Sequence, residues 1–343
     1  MMKAAVFLDF HKMKIQQLDK PAPKDDEVLI EVKGCGVCGT DSHIYSGQLN
    51  VAKPPVVIGH EITGTIVDRG KNVKRFKIGQ TVSVDPVIAC GTCEFCHIGR
   101  ANLCSNQTTI GYVLNGGFAQ YTVIPQTHIY PISAEAGMKA GILVETLACV
   151  LNGFDRLNIA AGKTVMILGA GTVGCLWNQL VKHTPSTLLL QTELVEFRRK
   201  IAKKLGADVV IDPQSEDLAE RVYSVCPEGV DYIVDATGDP QAIEGAIPLV
   251  RKGGTFMIFG VCPEDAILQV SPFLLYEKEM KLIASKMPPQ TLDRSAKLLE
   301  AGIIDYDTIV NLVVPLERIE EAFQLFEQGR DKVIKIAVDP WMD

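Results

Sequence analysis

Basic charge, aromatic side chains and long apolar runs are all scarce in this sequence. Its 34 Lys and Arg are outnumbered by 41 Asp and Glu, for a formal net charge of −7 and a pI near 5.5. Such a chain lacks the cationic surface that nucleic acid or an anionic membrane requires. No run of like charge is long enough to act as a tail. The one candidate for a membrane span, Thr164–Val181, contains Gly169, Gly171, Gly174, Asn178 and Gln179, and reads instead as a buried strand, a turn and a helix. Internal repeats and low-complexity segments are absent too. The opening MMKAAVFLDF holds a short apolar run that Asp9 ends, too little for a secretory core segment. Ten cysteines without an export signal point to a reducing cytoplasm, with thiols available for metal rather than for disulfides. With 47% apolar residues, 343 positions can fill the cores of about two domains.

Four of those cysteines crowd into CGTCEFCHIGRANLC. Cys90, Cys93, Cys96 and Cys104 are separated by two, two and seven residues. Tight C-x2-C turns bring thiolates to one ion, and the longer gap lets the chain return to close a tetrahedron. Gly91 and Gly99 permit the turns. The spacing predicts a closed structural Zn²⁺ site. With no coordination position left open, such a site fixes a loop and does no chemistry.

The first ~140 residues read as short β-branched strands broken by Gly and Pro, a mainly β domain with long loops. Leu147, Val150, Leu151, Phe154 and Leu157 then recur at helical spacing. Beyond them, apolar strands at 164–168, 187–192, 209–211, 231–236, 255–259 and 281–285 alternate with helical patterns. That alternation predicts an α/β fold with a doubly wound parallel sheet. Two amphipathic helices and the strand KVIKIAV follow, a tail expected to pack back on the first domain. The predicted boundaries are 1–144, 145–285 and 286–343, with the cysteine lobe at about 88–106.

GAGTVG follows the strand 164–168 and opens a helix. Gly169 makes the turn, Gly171 lets backbone approach a pyrophosphate, and Gly174 lets helix and strand pack closely. Glu193 stands at the end of the next strand, where a carboxylate accepts both ribose hydroxyls and repels a 2′-phosphate. NAD is therefore expected over NADP, although Arg198 and Arg199 leave NADP open. A second group of metal-ligand types is spread over GCGVCGTDSH (34–43), GHE (59–61) and Glu145. Cys38 offers a thiolate and His60 a neutral nitrogen, with Glu61 beside it. An open Zn²⁺ site next to a hydride acceptor makes a chemical unit. Asp41 reads as a loop cap, and Cys35, Cys149, Cys175, Cys226 and Cys262 as small packing residues.

GVCGTDSH, GHE, the four-cysteine lobe, GAGTVG, DATG (235–238) and VRKGGTFMIFGV (250–261) together identify a resemblance. Over essentially its whole length the chain resembles the zinc-containing medium-chain dehydrogenases. It is most similar to their polyol branch, such as sorbitol and xylitol dehydrogenases. The resemblance implies a GroES-like β domain plus a Rossmann domain, substrate in the cleft between them, two zinc ions per chain and a homodimer or homotetramer. Cys38 and His60 would bind the catalytic zinc, and Glu61 would join them in some states. Glu145 would either ligate the ion or hold its bound water. Thr40 would take the alcohol proton and His43 would carry it to solvent, with Tyr45 lining the substrate pocket. Gly169, Gly171, Thr172, Val173, Gly174, Glu193, Arg198, Thr237 and Val261 would serve the dinucleotide. The implied reaction interconverts a secondary alcohol, a polyol or sugar alcohol, and its ketone by hydride transfer. A threonine-type amino-alcohol dehydrogenase shares almost every motif. A sugar-alcohol-phosphate dehydrogenase is a further alternative, and a non-catalytic relative would have lost Cys38 or His60. The chain departs from the branch at Thr146, which stands where proline commonly follows the glutamate, and in the loop KHTPST (182–187).

Overall fold

The computed structural model describes residues 1–288, 290–329 and 331–343. The chain divides into two compact units. One comprises Met1–Ala148, Pro288–Gly302 and Tyr306–Asp343; the other comprises Cys149–Met287 and Ile303–Asp305. Among the described residues no helix is long and apolar enough to cross a membrane.

The first unit is built around the strand Glu27–Gly36. It is buried along most of its length and pairs antiparallel with Glu61–Arg69, with Tyr121–Pro125 and with the last strand, Lys335–Asp339. Thr81–Val84 and Ile129–Pro131 extend the sheet on one side, and Val310–Pro315 extends it on the other. The strands meet in a core that includes Phe7, Ile30, Ile62, Phe76, Phe118 and Phe323. The tail helix Leu292–Glu300 is tied to the helix Val144–Leu157 by Ser295, whose hydroxyl donates to the Val144 carbonyl at 2.6 Å. This sheet places the ends of three strands from distant parts of the chain, at Gly36, Glu61 and Lys335, side by side.

In the second unit six strands form one sheet. Their spatial order is Val209–Ile211, Leu188–Thr192, Thr164–Leu168, Val230–Asp235, Val250–Ile258 and Lys281–Ala284, and every neighbouring pair is parallel. In chain order this is 3-2-1-4-5-6, the doubly wound Rossmann arrangement. All six strands expected from apolar runs are present. The order reverses between Thr164–Leu168 and Val230–Asp235, the switch point at which such sheets take ligands.

A buried carboxylate holds the loops at that point. Asp235 is fully buried and accepts from the backbone N–H groups of Thr237 (2.8 Å), Gly238 (3.2 Å) and Gly260 (3.1 Å), and from the Thr237 hydroxyl (2.6 Å). It thereby joins the DATG turn to the loop after Val250–Ile258. Asp235→Ala would leave these donors without an acceptor, for an expected loss of about 3 kcal/mol. Trp177 is buried in this unit and Trp341 lies in the other. In a Trp341→Phe background, tryptophan fluorescence during urea unfolding therefore reports on this unit. An unshifted midpoint on adding Asp235→Ala would contradict the clamp.

Candidate metal centres and cofactor cradle

The four lobe cysteines converge as their spacing predicts. Donor atoms of Cys90, Cys93, Cys96 and Cys104 all lie within 4.8 Å of one another, and the cysteines are free thiols. The Cys93 and Cys96 sulfurs are 3.5 Å apart. Two ligands of a tetrahedral zinc with Zn–S of ~2.3 Å stand about 3.8 Å apart, so the lobe fits the ion closely. Gly91 and Gly99 take φ of +73° and +75°, a region that favours glycine. Backbone N–H groups of Cys90 and Asn106 point at the Cys104 sulfur, at 3.3 and 3.4 Å. Hydrogen bonds from the Thr92 backbone and hydroxyl lower the Cys90 thiol to about 6, which favours the thiolate a metal needs.

The second cluster unites Cys38, His60 and Glu61, whose donor atoms also lie within 4.8 Å of one another. Cys38 is the N-cap of the helix Gly39–Tyr45, just past the end of the central strand. His60 precedes the strand Glu61–Arg69. Gly59, at φ +95°, allows it in, since a Cβ there would meet the Cys35 sulfur and the Phe118 ring at 2.9 Å.

Asp41 does more than cap a loop. Its Oδ2 accepts from the Cys38 N–H at 3.0 Å, and its Oδ1 lies 3.2 Å from His60 Nδ1. An ionised carboxylate only accepts, so Nδ1 carries the proton and Nε2 keeps its lone pair for a metal. One fully buried side chain thus reaches the His60 ring and the Cys38 backbone at once. Burial lowers the His60 pKa, but Tyr112, Asp41 and Cys38 outweigh it and hold the ring well above its ordinary value. A metal at Nε2 must compete with a proton, so acid weakens binding.

The remaining expected site residues divide. The Thr40 hydroxyl lies 3.7 Å from the Cys38 sulfur, and His43 is exposed one turn further along the helix. Glu145, half-buried in the first turn of Val144–Leu157, makes its charge felt at Tyr112 and Asp85 but is not among the clustered donors. Tyr45 stacks on Phe323 with centroids 5.0 Å apart and donates its hydroxyl to Glu320 at 3.2 Å, so packing and a hydrogen bond hold it against the helix Ile319–Gln328. Sequence reasoning missed Tyr112. Its ring meets the His60 ring edge-on at 5.1 Å, and burial pushes its phenol pKa up, keeping it a neutral donor. A tyrosine in a loop of small residues carries no sequence signal of its own.

The dinucleotide cradle follows the glycine pattern. Gly169 has φ +89°, and a Cβ at Gly174 would lie 2.1 Å from the Gly169 carbonyl oxygen. A Cβ at Gly171 would meet only the Arg198 guanidinium, at 3.8 Å, leaving room for a phosphate above the helix Thr172–Lys182. Thr172 and Val173 form its first turn. Glu193 stands at the mouth, accepting from the N–H groups of Ala170 (2.8 Å) and Val195 (3.0 Å). Val261 is exposed in the loop joined to Asp235. Arg199 is engaged elsewhere, with Asp212 at 3.1 Å and the carbonyls of Glu193 and Leu194. The residues fit a dinucleotide.

The alcohol dehydrogenase GroES-like domain matches residues 24–134, and the zinc-binding dehydrogenase domain matches residues 172–301. The chain is 34% identical to D-arabinitol dehydrogenase 1 of Uromyces fabae, over 95% of this chain and 93% of that protein. It is 31% identical to the sorbitol dehydrogenase of Bacillus subtilis (strain 168), over 99% of this chain and 97% of that one. The chain belongs to the polyol branch of the zinc-containing medium-chain dehydrogenases. The L-threonine 3-dehydrogenase of Pyrococcus horikoshii is 31% identical to this dehydrogenase over 92% of each chain. A crystal structure described as a zinc-binding dehydrogenase of Sinorhizobium meliloti 1021, bound to NADP, superposes with a TM-score of 0.95 at 31% identity, covering 99% of both chains.

Two substitutions separate the metal sites of the dehydrogenase. Cys93→Ser is expected to lower the thermal midpoint with kcat retained; a loss of rate at unchanged stability would contradict a purely structural lobe. Asp41→Asn is expected to weaken zinc retention at Cys38 and His60 by roughly 10–100-fold, measured by competition with a chelator.

Proposed function

We propose that this dehydrogenase interconverts a secondary hydroxyl of a polyol and the corresponding ketone with NAD(H), using zinc at Cys38 and His60. The observation that carries the reading is the pairing of an oriented imidazole with a thiol whose neighbour is a hydroxyl and whose helix leads to an exposed histidine. Zinc supplies Lewis acidity and the nicotinamide supplies the hydride acceptor. Asp41 holds Nδ1 of His60, so Nε2 would be the nitrogen offered to the ion. Thr40 accepts the proton that the alcohol loses and hands it on to His43, which releases it to water. Glu145 would stand near the ion as a further carboxylate. Tyr112, a neutral phenol, packs its ring against His60 and helps fix the imidazole.

Glu193 supports NAD, because its carboxylate would repel a 2′-phosphate. The NADP-bound neighbour and Arg198 beside Gly171 support the other cofactor. The kcat/KM ratio for the two decides, and a preference for NADP would remove Glu193 from this role. The similarity to threonine dehydrogenases keeps an amino alcohol as the second reading. The second zinc belongs to the cysteine lobe. We further take the enzyme to be a cytoplasmic homodimer or homotetramer, a reading that ten free thiols and the exposed Phe273 and Tyr276 suit.

Cys38→Ser is expected to abolish turnover while dinucleotide binding, followed by NADH fluorescence, persists; near-normal turnover would defeat the scheme. An absorbance screen at 340 nm with sorbitol, xylitol, arabinitol, their phosphates and threonine is expected to favour an unphosphorylated polyol.

A further inference from the structure

A doubly wound sheet has two halves, and each offers the ends of three strands to one mononucleotide. The glycine turn and Glu193, read as the partner of the adenosine ribose, lie in the first half. The nicotinamide then falls to the second, formed by the chain leaving Val230–Asp235, Val250–Ile258 and Lys281–Ala284. Asp235 holds the first two of these exits together. The third, Ser285–Met287, is held from another direction.

Asn152, buried on the helix Val144–Leu157, aims its amide nitrogen at three oxygens: the Met287 carbonyl at 2.8 Å, the Ser285 hydroxyl at 3.1 Å and the Lys286 carbonyl at 3.3 Å. One amide thereby fastens three consecutive residues. One turn along the helix, the Arg156 guanidinium donates to the Ala284 carbonyl at 2.9 Å. Gly153 lets the helix come this close. A Cβ there would lie 2.7 Å from the Trp177 ring and 2.9 Å from the ring of Phe259, the first residue past Val250–Ile258. Met287 has φ +47°, in the left-handed region that a long side chain seldom occupies. The strand has already ended at Ala284, so sheet pairing does not impose this conformation. Such backbone persists where its surroundings enforce it, and it gathers at ligand sites.

We propose that Asn152 is a positioning residue for the nicotinamide half of the dinucleotide, fixing Ser285–Met287 in the conformation that half requires. This rests on the reading of the second unit as a dinucleotide site.

The test compares two ligands of the full-length protein, NADH followed by its fluorescence and ADP followed by calorimetry. ADP keeps the adenosine and both phosphates but lacks the nicotinamide half. If the parent protein prefers NADPH, NADPH and 2′,5′-ADP take their places. Should the parent bind neither NADH nor NADPH, the dinucleotide reading falls and the inference with it. Given that binding, Asn152→Ala should weaken NADH by about tenfold and leave ADP within about twofold. Asn152→Asp keeps the shape but turns an acceptor toward three oxygens, and should weaken NADH at least as much while sparing ADP. Equal losses for both ligands would make Asn152 a general support of the unit, and an NADH affinity near parental would make its bonds irrelevant to the site. Either result overturns the inference. Should both variants fail to fold, Arg156→Ala decides. A loss of about threefold for NADH alone supports the inference, and unchanged NADH affinity or an equal loss for ADP overturns it.

Discussion

A histidine can offer a metal one nitrogen while the other is held, and at His60 the holding is done by Asp41. Its two carboxylate oxygens reach the His60 ring and the Cys38 backbone, so the orientation of one candidate ligand and the start of the helix beside the other are set by the same buried group. The Thr40 hydroxyl beside the Cys38 sulfur and the exposed His43 depend on that helix beginning where it does. Shift Asp41 and the imidazole loses the partner of its Nδ1, and the helix that follows Cys38 loses its start.

Unit two solves a comparable problem with amides as well as a carboxylate. Gln191, fully buried, donates to the Gly169 carbonyl at 2.9 Å and accepts from Asn178. Asp235 gathers the turns at the ends of two strands. A glycine-rich turn has little stiffness of its own, so these side chains supply it, each satisfied by backbone groups that would otherwise be buried without partners. The same logic explains why Gly174 tolerates no Cβ: the helix is pressed against the turn it must support.

Local patterns were the legible part of the sequence. The four cysteines, the glycine turn and the six apolar strands each report on a few adjacent residues; the strands are present where read, the thiols converge and the turn opens a helix. The double duty of Asp41 was not legible, because a cap and a ligand's partner look alike until His60 is brought alongside. Tyr112 and Lys335 were hidden for a stronger reason. Their neighbours are fixed by strand register and loop closure between distant segments, and a lysine in an apolar terminal strand reads as a surface residue. Tyr45, near the same loop, shows what a sequence cannot: its ring stacks on Phe323, far along the chain.

Glu61, beside His60, is approached from two elements at once. Thr146 donates its hydroxyl to Oε1 from the helix Val144–Leu157, while the buried ammonium of Lys335 pairs with the carboxylate from the last strand. A carboxylate approached from two separate elements cannot swing as freely as one held by a single flexible side chain.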